Sequence, residues 1–190
     1  MADSTDRDAT DRMQVPMGQD DERIGRALDR LESALERKPG FGRSTARSTT
    51  TLAGGLRCAS REGEHRIDTD LPGPLGGGGS GPTPSVLLRA ALGSCLAMGY
   101  RLRAARHGIP IGSIRVEVET DSAIAGMLDP TSATPPGFIE LRYRVEIDSP
   151  APAADVERLI DEGDRLSPVL DAVGRANRVH RSLSITGGGR

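Results

Sequence analysis

Residues 83–110 read TPSVLLRAALGSCLAMGYRLRAARHGIP, and this stretch decides the architecture. Thr83 is a good N-cap, and Pro84 fits the first helical position, where its missing N–H costs nothing. Gly108 followed by Pro110 marks the end, so the spacing predicts a helix over Pro84–His107, about 36 Å long at the usual rise per residue. Leu88, Ala91, Leu92, Cys95, Met98 and Leu102 form one apolar stripe, while Ala90, Gly93, Ser94, Ala97 and Gly99 keep the middle of the helix slim. A helix this apolar and this narrow is wrapped by other elements and approached closely by at least one. It reads as the central helix of the fold.

The segments on either side supply the wrapping. Ile114–Thr120 (IRVEVET) and Ile139–Ile147 (IELRYRVEI) alternate cleanly and predict two half-buried strands, joined by a connection containing Pro130, Pro135, Pro136 and Gly137. Pro150 and Pro152 introduce a helix whose inner face is Val156, Leu159 and Ile160. Ser167-Pro168 restarts a helical turn carrying Val169, Leu170 and Val173, and Ser182–Thr186 is expected to be a last strand. Before the central helix, Thr45–Leu52, Leu56–Ser60 and Glu64–Thr69 suggest strands separated by Gly54-Gly55 and Glu62-Gly63. Leu71–Pro82 (LPGPLGGGGSGP) is a loop. Ile24, Leu28, Leu31 and Leu35 predict an amphipathic helix over 21–38, stopped by Pro39-Gly40, which covers an edge of the main domain or meets a partner. Residues 1–20 have too few large apolar groups to order themselves, and 187–190 are tail. Strands, long helix, strands, helix, strand is an α+β order.

Composition removes several functional classes. The chain has 190 residues, a formal net charge of −2 and only four aromatic residues, Phe41, Tyr100, Phe138 and Tyr143. A near-neutral chain without a basic face or stacking platform is not expected to bind nucleic acid. Two cysteines cannot build a disulfide framework, no secretory signal is evident at the N-terminus, and the longest uncharged stretch of the most apolar region, Ala90–Tyr100, is far too short to span a bilayer. The expected location is the cytoplasm, with no membrane partner.

The chemistry has few candidates. The glycine run at 76–79 is not a phosphate loop, because no Gly-Lys-Ser/Thr follows it. His65, His107 and His180 form no metal-ligand spacing with each other or with the cysteines, so neither metal nor other cofactor is expected. His107 sits where it can cap the helix C-terminus. The acids Asp155, Glu157, Asp161, Glu162 and Asp164 are assigned mostly to the solvated side of their helix, without a catalytic role. That leaves Cys95. It lies about 16 Å from the helix N-terminus, too far for the helix dipole to favour its thiolate. On this reading alone Cys95 is a core residue, and reactivity would require an arginine delivered from another element.

Residues 76–98, GGGGSGPTPSVLLRAALGSCLAM, carry a further signal. The glycine-rich loop, the Thr83-Pro84 helix start, Leu-Leu, Ala-Ala-Leu and a mid-helix cysteine resemble the signature of the OsmC/Ohr superfamily (osmotically inducible protein C and organic hydroperoxide resistance proteins). The resemblance extends over 44–186, which becomes the OsmC-like domain, with 1–20 as tail and 21–40 as the amphipathic helix and its stop. It implies an α+β fold of strands packed around a long central helix, in an intertwined homodimer. It also implies peroxidase chemistry: a helix thiolate attacks the O–O bond of an organic hydroperoxide and becomes a sulfenic acid, which a second cysteine converts to a disulfide. An arginine from the early strands holds the thiolate, and a glutamate near the helix start orients it.

Cys95 matches the attacking position. The glutamate position is Ser85, the second-cysteine position is Ser167, and Arg57 is the nearest counterpart of the arginine. Three readings follow: a one-cysteine thiol peroxidase restored by an external thiol reductant, a non-catalytic module binding a small apolar ligand at the dimer interface, or a redox sensor pairing Cys95 with Cys58. The last needs Cα atoms within about 7 Å.

Overall fold

The computed structural model describes residues 17–186; the expected tails lie outside it at 1–16 and 187–190. The first helix, α1, spans Met17–Arg37 and so begins inside the stretch assigned to the N-terminal tail. Three strands follow, β1 (Thr49–Leu52), β2 (Cys58–Glu62) and β3 (His65–Thr69), paired antiparallel in that order. Cys58 stands opposite Leu52 on one side and Thr69 on the other. After a single 3-10 turn at Gly73–Leu75 comes the long helix α2, Pro84–His107. Then come β4 (Ser113–Asp121), a short helix α3 (Ile124–Leu128), β5 (Glu140–Asp148), α4 (Ala153–Arg165) and α5 (Pro168–Gly174).

The ends of α2 follow from its sequence. The Thr83 hydroxyl accepts a hydrogen bond from Val86 N–H at 3.4 Å, Pro84 starts the helix, and Gly108 closes it in the left-handed region at φ 65°. The β4–β5 hairpin lies along α2 in full register, Ser113 opposite Asp148 through to Asp121 opposite Glu140. Ile114, Val116, Val118, Leu141, Tyr143, Val145 and Ile147 face the core, and the alternating charged residues face out. The α4 and α5 helices cover another side of α2, contributing Leu159, Ile160, Val169 and Leu170.

Which face of α2 is buried differs from the expected stripe. The buried line is Leu92, Leu96, Tyr100 and Ala104, four residues apart each time, whereas Met98 is 65% exposed and Ala91 is exposed. The middle of the helix, Ala90–Tyr100, has no charged face to orient it, so packing partners and not periodicity select its buried side. Cys95 consequently sits on the border between the buried line and the open face, half-buried.

Helix α1 docks on the C-terminal half of α2 within the same chain. Arg101 pairs with Asp21 at 2.8 Å, and Arg106 pairs with Glu32. Ile24 and Leu28 are half-buried there, while Leu31 and Leu35, farther along, are about half exposed. The β1–β3 sheet behaves differently. Among the described residues it makes no extensive contact with α2, and Leu52 and Ile67 stand largely open to solvent. The expected strand Ser182–Thr186 does not form. Residues 175–186 have no regular structure, Val179, Leu183 and Ile185 are exposed, and among the described residues no strand pairs with this segment. Among the described residues no helix is long and apolar enough to cross a membrane.

Candidate functional site

The Cys95 sulfur lies 3.4 Å from the hydroxyl oxygen of Ser167, 72 positions later in the chain. Two elements bring them together. Cys95 is carried by the middle of α2, and Ser167 occupies the joint between α4 and α5, where it is 2% exposed. Its backbone is fixed on both sides, since its N–H donates to the Asp164 carbonyl at 3.2 Å and its carbonyl accepts from Asp171 N–H at 3.0 Å. Its side chain caps α5 by accepting from Leu170 N–H at 3.3 Å. The two residues that the family resemblance matches to the attacking and second-cysteine positions are therefore in contact as sulfur and hydroxyl.

The other candidates lie elsewhere in a single chain. Arg57 is exposed at the turn entering β2, with Asp68 close enough for its charge to help hold that carboxyl below the usual range, after the main effect of the Arg66 hydrogen bond. Among the described residues no guanidinium is hydrogen-bonded to the Cys95 sulfur. Ser85 is exposed in the first turn of α2, about 15 Å along the axis from Cys95. Cys58 is half-buried in β2, and both thiols are free.

Behind Ser167 lies a cluster that the sequence reading assigned to solvent. Asp164 accepts the Tyr100 hydroxyl at 2.6 Å on one oxygen and the Tyr143 hydroxyl at 2.7 Å on the other. Burial and then this hydrogen bond push the Tyr100 phenol upward, and the same causes push Tyr143 up to about 12. Asp164 follows Ile160 by four positions, which puts it at the border of the inner face; that spacing was the available signal. His107 also differs from its expected capping role. Its ring is 2.7 Å from Glu162, which Arg103 reaches at 3.4 Å from the other side, and this His107 contact holds the Glu162 carboxyl below the usual range. A cleft of about 610 Å3 beside them, lined by His107, Ile109, Arg158 and Leu159, stands three turns of α2 away from Cys95.

The glycine-rich loop is closed over its own carboxylate. Asp70, 3% exposed, accepts from Leu71 N–H at 2.8 Å, Gly78 N–H at 3.2 Å, and the Ser80 N–H and hydroxyl at 3.1 and 2.8 Å. These amides are already committed, so the loop is not a cradle for phosphate. The loop also needs glycine where it folds tightly, because a Cβ on Gly81 would come within 2.9 Å of the Asp68 carbonyl oxygen.

Comparison with known proteins gives a consistent picture. A family model described as OsmC-like protein matches residues 77–181. No curated protein sequence matches the chain. Among solved structures, an OsmC-like protein from Mycoplasma pneumoniae superposes with a TM-score of 0.59 at 20% identity, covering 69% of this chain and 88% of its own. An organic hydroperoxide resistance protein OsmC from Legionella pneumophila gives 0.51 at 19% identity, covering 68% and 89%. One from Elizabethkingia anophelis, also an organic hydroperoxide resistance protein, gives 0.53 at 18% identity, covering 70% and 90%. At these identities the superpositions establish the α+β fold.

Proposed function

The chain belongs to the family of OsmC-like proteins, and from that premise we propose that it reduces organic hydroperoxides with the single thiol of Cys95, in defence against oxidative stress. The observation that carries this reading is the half-buried sulfur of Cys95 lying against a hydroxyl rather than in hydrocarbon alone. The thiolate attacks the terminal oxygen of the peroxide, an S–O bond forms as the O–O bond breaks, and the alkoxide leaves with a proton as the alcohol. Sulfur loses two electrons and the peroxide gains them. Ser167 cannot form a disulfide, so two equivalents of an external thiol return the sulfenic acid to the thiol, releasing water and their own disulfide. This recycling suits the cytoplasm, where small thiols are reduced.

The working form is a homodimer. The open β1–β3 sheet and the extended 175–186 segment are surfaces that a second copy covers, and Arg57 travels on that sheet as the candidate cation for a thiolate across the interface. The test is peptide mass spectrometry after treatment with cumene hydroperoxide and dimedone. Wild type acquires the sulfenic-acid adduct at Cys95 and forms no Cys95–Cys58 disulfide, and Cys95→Ser acquires neither. An unmodified Cys95 at excess peroxide removes the catalytic reading. The exposed apolar side of α2, with Val86 and Met98 open, favours the second reading, a non-catalytic module for a small apolar ligand at the dimer interface. Lipid co-purifying with a peroxide-inert protein would select it.

A further inference from the structure

We infer that Ser167 is a positioning residue for Cys95: its hydroxyl proton is directed at the Cys95 sulfur and orients and stabilises the attacking thiolate. The inference rests on the reading of Cys95 as the reacting thiol and adds a residue to it.

A serine hydroxyl has one proton and two lone pairs. Here Leu170 N–H, at 3.3 Å, takes one lone pair, and across the 3.4 Å contact with the neutral thiol either atom can be the donor. A thiolate has no proton to give, so between the two atoms the hydroxyl is then the donor. The donor is also held in place. Ser167 is 2% exposed, its backbone is bonded to Asp164 and Asp171, and Asp164 is locked by two tyrosine hydroxyls. An O–H fixed on such a scaffold does not reorganise when charge collects on the sulfur, which is the condition for effective stabilisation. The same geometry explains how a serine can stand at the second-cysteine position without leaving the site bare. It supplies a hydrogen bond to the sulfur where a thiol would supply a bond-forming partner.

The bland alternative is that Ser167 only caps α5, and the variants separate the two. The probe is iodoacetamide, with Cys95 alkylation at pH 7 followed by peptide mass spectrometry on the full chain. A hydrogen bond to an anion worth about 1.4 kcal/mol makes Ser167→Ala react about tenfold more slowly, and Ser167→Thr, which keeps the hydroxyl, stays within about twofold of wild type. Ser167→Ala reacting as fast as wild type, with its helical signal intact, overturns the assignment. Ser167→Cys reads the geometry independently. Diamide should link Cys95 to the introduced thiol, with loss of two hydrogens, and failure to form that link overturns the assignment as well. Should Ser167→Ala lose its helical signal, Ser167→Asp, which keeps an N-cap acceptor but has no proton to give, takes its place, and alkylation as fast as wild type overturns the assignment. These reactions need no peroxide. If wild-type Cys95 resists cumene hydroperoxide while the alkylation order holds, the peroxidase reading falls and the positioning role stands; if Cys95 is oxidised equally in wild type and a folded Ser167→Ala, the reverse is true.

Discussion

Asp164 gathers the hydroxyls of the only two tyrosines in the chain, which makes the cluster readable by absorbance. Burial and the bond to Asp164 raise both phenols, Tyr143 to about 12. A raised folded-state value means that this contribution to stability is complete below the unfolded phenol value of about 10 and is lost as pH rises through the folded values. An alkaline titration followed in the ultraviolet should therefore show little tyrosinate at pH 10–11, and then ionisation together with loss of circular dichroism. Ionisation of both phenols near pH 10 with the fold intact would contradict the cluster. The ring of Tyr100 also explains Gly163, since a Cβ there would stand 2.5 Å from its Cδ1 and 2.8 Å from its Cε1. Gly163→Ala should cost about 1–3 kcal/mol, read as a lowered midpoint in urea, because the ring is buried and cannot swing away. At this scale the sequence was legible for the place of Cys95 midway along the long helix, which follows from local helix signals. Asp164 was legible only as a border position, because an acid there turns inward only when hydroxyls from two other elements meet it.

Among the elements, the glycine-rich loop is fastened by one carboxylate. Hydrogen bonds from the Ser80 amide and hydroxyl, then from Leu71 and Gly78, hold Asp70 below the usual carboxylate range despite its burial. A depressed value contributes stability above the unfolded carboxylate value of about 4, and that contribution is lost as pH falls through the folded value. Hydrogen exchange should find the Gly78 and Ser80 amides protected at pH 6 in wild type and exposed in Asp70→Asn, whose neutral amide is a weaker acceptor. Equal protection in both proteins would show that the loop is held by something else. The limits of α2 were fully legible, since Thr83, Pro84 and Gly108 act through their immediate neighbours. Its buried face was not, and neither was the docking of α1, because both depend on partners remote in sequence. The missing strand at 182–186 has the same origin: alternation records a strand's readiness to pair, and among the described residues no strand edge meets it.

Taken as a whole, a single chain is too open for its mass. Its accessible surface is 14938 Å2, whereas a compact monomer of 20.1 kDa exposes roughly 8,700 Å2 by the usual scaling. Granting the residues outside 17–186 the area of a fully extended chain removes only about 3,000 Å2 of the difference. The proposed homodimer would cover area of this kind. The exposed apolar residues are placed accordingly, Leu52 and Ile67 on the open sheet and Val179, Leu183 and Ile185 on the C-terminal segment. Light scattering should give a mass near twice 20.1 kDa, and Leu183→Asp with Ile185→Asp should lower it toward the single chain. A wild-type protein that stays at 20.1 kDa at high concentration would refute the dimer. The same experiment bears on the chemistry. If the cation for Cys95 arrives on the partner's sheet, its loss by mutation and its loss by dissociation are the same loss. Arg57→Ala should slow Cys95 alkylation in the intact dimer, whereas the monomeric double variant should be slow already and gain no further deficit from Arg57→Ala. Additive effects of the two would place Arg57 outside the site and leave Ser167 as the polar contact that a single chain provides.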